Sequence, residues 1–149
     1  SSVFSNNLAE YGGVFLFNES PATIEGSSFF NNSATEGGTA FHSCTSSLCP
    51  LSITSSQFVM NSAQSGGAIQ WSFLEPQISN TQFSNNSASY GPDISSYGVA
   101  LILLGEDLKT SNRTIEEVSG QTMKTLAFGL VDVYRQIVKS DNSSYVWLK

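Results

Sequence analysis

Charge is the scarcest ingredient of this chain: Asp, Glu, Lys and Arg make up 12% of its 149 residues, and residues 1–97 contain no Lys or Arg. A phosphate backbone therefore meets no basic patch, which removes nucleic acid from the expected partners. Histidine occurs once, at His42, where a surface or loop place is expected, and cysteine twice, at Cys44 and Cys49. Together they offer at most three zinc ligands and no evident fourth, so no metal is expected. No apolar run approaches the ~20 residues of a membrane-spanning helix. The longest, Val99 to Leu104, is strand-sized. Helical periodicity is missing too: Gly-Gly, Asn-Asn and serine clusters recur, and no i, i+3, i+4, i+7 pattern lasts three turns. Neither a phosphate-binding glycine loop nor a dinucleotide fingerprint occurs, so no cofactor is expected.

What is abundant is repetition. Phe29-Phe30-Asn31-Asn32-Ser33-Ala34-Thr35-Glu36-Gly37-Gly38 has an upstream copy, Phe4-Ser5-Asn6-Asn7-Leu8-Ala9-Glu10-Tyr11-Gly12-Gly13. Two copies follow, Phe58-Val59-Met60-Asn61-Ser62-Ala63-Gln64-Ser65-Gly66-Gly67 and Phe83-Ser84-Asn85-Asn86-Ser87-Ala88-Ser89-Tyr90-Gly91-Pro92. The leading phenylalanines are 25, 29 and 25 residues apart, and Ile24, Ile53 and Ile78 each stand five places before one of them. One copy holds too few apolar residues to close a core, so the copies must bury their inner faces on one another.

Short alternating runs such as Ile53-Thr54-Ser55 and Ala68-Ile69-Gln70-Trp71, separated by turn residues, read as strands. Three short strands and three bends fill about 25 residues, and rungs stacked ~4.8 Å apart make a parallel β-helix. Equivalent residues then become vertical neighbours. Phe4, Phe29, Phe58 and Phe83 are expected to form an internal aromatic stack beside an aliphatic row of Ile24, Ile53 and Ile78. Asn7, Asn32, Asn61 and Asn86, three places after each phenylalanine, are expected to form an amide ladder at a turn. The glycine pairs at 12–13, 37–38 and 66–67 supply positive φ or close approach between rungs.

The F-x-N-N-S-A and G-G-A-I elements, as in Phe58 to Ile69, resemble the repeats of polymorphic outer-membrane proteins and pectin-lyase-like right-handed β-helices. Asn85 to Ile94 is similar to very large, repeat-rich surface proteins of ciliates. The resemblance covers residues 1 to about 97 and implies an all-β chain, a right-handed parallel β-helix of about four rungs. It speaks to architecture more than to function, since such scaffolds carry several.

Cys44 and Cys49 fall in the one rung that is longer than its neighbours, and a C-x4-C loop can close a disulfide pinning the excursion. Such bonds persist outside the reducing cytosol. Asn18, Asn31, Asn85, Asn112 and Asn142 each begin an N-x-[ST] acceptor sequence. Two of them, Asn31 and Asn85, share one place in the repeat, which makes N-linked glycans and an extracellular or cell-surface setting the expectation. With neither an initiator methionine nor a signal segment, and with its first rung lacking the isoleucine, the chain is expected to be a piece of something longer.

After residue 97 the period is lost. Ala100-Leu101-Ile102-Leu103-Leu104 reads as a buried-type strand, and residues 98–118 as a capping strand and linker. Leu126 to Val131 alternate as a strand, and the following Asp132-Val133-Tyr134-Arg135-Gln136-Ile137-Val138 resembles the opening of immunoglobulin-like surface modules. Residues 119–149 are thus expected to form an incomplete sandwich, with Tyr145 to Lys149 as a further strand. Its missing strands would come from more chain or from a neighbouring subunit.

The acids of the repeat region, Glu10, Glu19, Glu25, Glu36, Glu75 and Asp93, have no Arg or Lys to accompany them, and Glu10 and Glu36 sit in turns. No catalytic residue is assigned, and an enzyme is not expected. The expected function is structural: a segment of an extracellular glycoprotein, a fibril subunit stacked head to tail, with further copies, neighbouring domains of the same large protein and glycans as partners. The alternative is a carbohydrate-binding or adhesive module using Trp71, Phe73 or Tyr97, although core places are the first expectation for these aromatics. A polysaccharide lyase or hydrolase comes last.

Overall fold

The computed structural model describes residues 1–104 and 127–139. Among them the chain is all-β, without a helix, and residues 1–97 wind into a parallel β-solenoid of about four turns. Its first face stacks β1 (Val3–Ser5), β4 (Ser28–Phe30), β7 (Gln57–Val59) and β10 (Gln82–Ser84). A second stacks β2 (Phe15–Asn18), β5 (Ala40–Ser43), β8 (Ile69–Trp71) and β11 (Ile94–Ser96), and a third β3 (Ala22–Glu25), β6 (Leu51–Thr54) and β9 (Gln77–Ser79).

The register follows the repeat. Phe4 pairs with Phe29, Phe29 with Phe58 and Phe58 with Phe83, all in parallel. Their rings lie nearly face to face, with centroids 5.3, 4.7 and 5.1 Å apart. Ile24 is in register with Ile53 and Ile53 with Ile78, and both columns line the core together with Ala40, Leu51, Ala68 and Ile69. Burial grades along the coil: Phe29 and Phe58 are fully enclosed, while Phe4 and Phe83, each with one stacked neighbour, are partly exposed.

The asparagine column joins the rungs at the bend. Asn32 Nδ2 donates to Asn61 Oδ1 at 3.0 Å and to the Phe4 carbonyl at 3.2 Å, and the Asn32 backbone N–H reaches the same Asn61 Oδ1. Asn7 repeats the side-chain bond to Asn32, and Asn61 repeats it to Asn86. Gly38 shows why the rung admits no side chain there: a Cβ would collide with the carbonyl oxygen of Gly67 in the next coil. Gly37, before it, lies at φ +62°, open to glycine at no steric cost.

The extra length of the one longer rung is confined to one corner. The first coil passes from β2 to β3 in residues 19–21, whereas the second uses residues 44–50 between Ser43 and Leu51 with the register of both flanking strands retained. A disulfide joins Cys44 and Cys49 across that loop.

Beyond the solenoid, β12 (Ala100–Leu103) from the expected capping tract pairs antiparallel with β13 (Phe128–Val131) from the stretch expected to open a sandwich. The following turn closes one edge of the coil with side chains. Gln136 Nε2 donates to the Ile94 carbonyl at 2.9 Å, and the Ser96 N–H donates to Asp132 Oδ2 at 3.2 Å, so two outward backbone groups of β11 are met by side chains. At the ladder's end Asn86 Nδ2 finds Asp93 Oδ1 at 2.9 Å. Asn112, Asn142 and Tyr145 to Lys149 lie outside the described residues.

Truncating Phe58 removes a ring packed between two others, so Phe58→Ala is expected to lose about 3–5 kcal/mol of stability in chemical denaturation. Asn61→Ala strips partners from the buried Asn32 amide and the Phe29 carbonyl and is expected to lose about 1–3 kcal/mol. The exposed Ser84→Ala, on ordinary strand backbone, serves as the reference, expected near zero.

Candidate functional site

Three surfaces gather the residues singled out by sequence. The first is the column outside the asparagine ladder. Asn6, Asn31, Met60 and Asn85 occupy it, all left-handed with φ of 57°, 51°, 55° and 55°, a conformation asparagine accepts more readily than methionine. Asn31 and Asn85 are exposed, as is Asn18 on the neighbouring corner. Asn31 Nδ2 spends one hydrogen on Asn6 Oδ1 at 2.8 Å, and Ser20 Oγ bonds the Asn18 carbonyl at 2.9 Å.

The second is the corner where residues 19–21, 44–50 and 73–75 lie one above another. Cys44 and Cys49 are buried and bonded to each other. His42 turns inward and is enclosed, its Nε2 at 2.8 Å from the Cys49 carbonyl, which makes Nε2 the protonated nitrogen of the neutral ring. Burial lowers its pKa, opposed by that hydrogen bond and by the Glu19 charge. Histidine here is a strut for the inserted loop, where a surface position was the expectation. Glu19 reaches the same loop from one coil below, with Oε2 at 3.7 Å from Cys49 Sγ.

The aromatics on this side divide: Trp71 takes the buried place expected of it, and Phe73 does not. Trp71 is a wall residue, only 4% exposed, and its Nε1 donates to Tyr134 Oη at 3.0 Å. Tyr134 in turn donates to Glu75 at 2.9 Å, and burial pushes its pKa up to about 12. The indole is thus unavailable for stacking on a ligand, because the turn after β13 covers it. Phe73 stands 70% exposed at φ +65°, in a three-residue turn closed by Leu74 N–H to the Ser72 carbonyl at 2.8 Å. A bulky residue in that conformation costs about 1–3 kcal/mol.

The third surface is a tyrosine roof over the second face. Glu36, Ser65 and Tyr90 are vertical neighbours, and Tyr97 reaches back past Ser65 to donate to Glu36 Oε2 at 3.3 Å. Tyr90 Oη donates to the Ser96 carbonyl at 3.3 Å, and Tyr11 tilts against Phe41 with centroids 5.3 Å apart. Beneath this roof Phe41, Gln70 and Ser95 are buried although they point away from the core. Burial raises the Glu36 pKa against the lowering effect of the Tyr97 bond, and it pushes Tyr97 up to about 12.

The described acids serve structure in several cases: Glu36 and Glu75 hold tyrosines, Asp93 ends the asparagine ladder, and Asp132 closes β11. An open groove at the bend between the third and first faces is lined by Ser1, Ser28, Ser55, Gln57, Asn80 and Gln82, without a charged side chain. Sequence reading missed a second ladder behind this groove. Ser27, Ser56 and Thr81 each donate a hydroxyl hydrogen to the carbonyl two residues earlier, and Ser56 Oγ also accepts the Ser27 N–H. The signal was present, a Ser or Thr three places after each of Ile24, Ile53 and Ile78. No helix among the described residues is long and apolar enough to cross a membrane. The chain matches no protein-family model, no curated protein and no solved structure.

Since the folded chain holds the Glu36 proton more tightly than the unfolded chain, protonation there favours folding. That contribution is full below the ordinary glutamate pKa and fades as pH rises through the raised value. Glu36→Gln, neutral at every pH and still able to accept from Tyr97, is expected to melt higher than wild type at pH 7. Below about pH 4 the two melting temperatures should coincide in thermal circular-dichroism scans.

Proposed function

We propose that this chain is a structural segment of an extracellular or cell-surface glycoprotein, a rigid right-handed β-helix that holds length and carries glycans on its corners. One observation carries the reading: the residues repeated in every copy are consumed in vertical contacts between rungs, phenylalanine on phenylalanine and asparagine on asparagine. Repetition is thereby spent on continuity of the rod, which is what a load-holding or spacing element needs. Resistance to proteolysis follows from strands paired along the coil. The Cys44–Cys49 bond supports an oxidising compartment, and the exposure of Asn18, Asn31 and Asn85 supports oligosaccharide attachment there.

Self-association is part of the proposal. Rungs of one register can be extended by strand addition from further copies or from neighbouring domains, giving a fibril. In its finer form the reading makes residues 119–149, β13 among them, an incomplete immunoglobulin-like module with Tyr145 to Lys149 as a further strand, its missing strands supplied by more chain or by a neighbouring subunit.

A second reading, a carbohydrate-binding or adhesive module, draws on Phe73 alone. An exposed ring held in a strained turn gains nothing from burial, and a flat apolar face can stack on a sugar ring.

Both readings have direct tests. Secreted protein treated with an N-glycosidase is expected to lose mass, and Asn31→Gln and Asn85→Gln are each expected to remove one glycan; an unchanged mass would end the glycoprotein assignment. Phe73→Gly should gain about 1 kcal/mol of stability by relieving the left-handed backbone. If the sugar reading holds, the same variant will lose retention on neutral-polysaccharide affinity gels, whereas retention equal to wild type sinks it.

A further inference from the structure

Stacking brings Glu19 beside a cysteine pair that lies at Cys44 and Cys49, far along the sequence from it. Glu19 opens the first turn at the disulfide corner, and Cys44 and Cys49 occupy the turn directly above it. The carboxylate oxygen of Glu19 and the two sulfurs all lie within 4.8 Å of one another. We propose that the Cys44–Cys49 pair, once reduced, joins Glu19 as a three-ligand site for a thiophilic divalent cation such as Zn2+. The corner then holds either a covalent sulfur bridge or a metal.

The geometry is close to what the cation requires. Zn–S bonds of ~2.3 Å and Zn–O bonds of ~2.1 Å at a tetrahedral centre place neighbouring sulfur and oxygen ligands roughly 3.6 Å apart. Glu19 Oε2 already stands 3.7 Å from Cys49 Sγ. The cysteine Cα atoms, 6.2 Å apart, suit a disulfide and equally allow the sulfurs to part by side-chain rotation to roughly 3.8 Å, the spacing of two sulfurs on one zinc. Both cysteines are buried whereas Glu19 is exposed, so the carboxylate faces solvent and the fourth position opens to water.

His42 supplies the second, independent observation. Its Nε2 fixes the Cys49 carbonyl, and its Nδ1 lone pair is buried in the same corner without a hydrogen-bond partner. We assign it as a positioning residue that keeps the loop over Glu19 when the covalent bond is opened. Carboxylate and thiolates bring three negative charges to a coil that has no Lys or Arg in residues 1–97, so no basic side chain of the coil balances them and a cation would.

The chemistry balances. Two molecules of a small thiol of the glutathione class, acting in turn through a mixed disulfide, deliver two electrons and two protons, forming Cys44 and Cys49 thiols and leaving joined as their own disulfide. The entering cation displaces both thiol protons to solvent and takes the two thiolates and the Glu19 carboxylate. This goes beyond the structural role, and its failure would leave that role untouched.

The test uses Co2+ alone as a spectroscopic stand-in for zinc, added to the 149-residue chain before and after reduction with a phosphine. The expected result is a thiolate-to-cobalt charge-transfer band at one equivalent per reduced chain and none in the oxidised chain. Glu19→Gln is expected to bind at least tenfold more weakly, while the remote Glu25→Gln binds like wild type. Near-ultraviolet circular dichroism of the phenylalanine column, recorded on the same samples, should persist on reduction. Absence of the band, equal affinity of Glu19→Gln and wild type, or cobalt binding only once the dichroism is lost would each overturn the proposal.

Discussion

Everything in this chain depends on keeping one register while the backbone winds. In a parallel stack each rung is bonded to the next through its backbone, and a slip of one residue would turn every core side chain outward. Two side-chain columns prevent the slip. Stacked phenylalanines fix the inner face by shape, and the asparagine column fixes the bend by direction, because each amide oxygen receives both an N–H and an NH2 from the coil before it. Either alone would tolerate alternatives. Together they leave one solution per turn.

This economy also explains how the coil ends. Where the period stops, the groups that would have met another rung are met by unlike residues: Asp93 for the last amide, and Asp132 and Gln136 for the last strand of the second face. Acids are rare in this sequence, and several sit where a repeating contact is interrupted. Glu36 is similar in kind, because it accepts the hydroxyl of Tyr97, which arrives from beyond the last strand of that face.

Much of the solenoid was legible because repetition turns sequence position into spatial position. Phe29 over Phe58 and Asn32 beside Asn61 could be read from an alignment of the chain with itself. What was illegible shares a cause. Trp71 was expected in the core, but its partner Tyr134 belongs to a segment with no repeat to place it. His42 looked like a loop residue because its partner carbonyl belongs to the one irregular corner. Glu19 gave no hint of the cysteines, since their proximity exists only once coils are stacked. The hydroxyl ladder of Ser27, Ser56 and Thr81 hid behind common residues in a serine-rich chain, where a match attracts little notice.

The inserted corner has a further consequence. Residues 44–50 replace a much shorter turn while the strands on either side stay aligned with those below and above. Length variation is thus decoupled from pairing, and the scaffold can host unrelated loops at this vertex much as a spine carries ribs. Descendants of such a chain could diversify what they display without renegotiating how they fold.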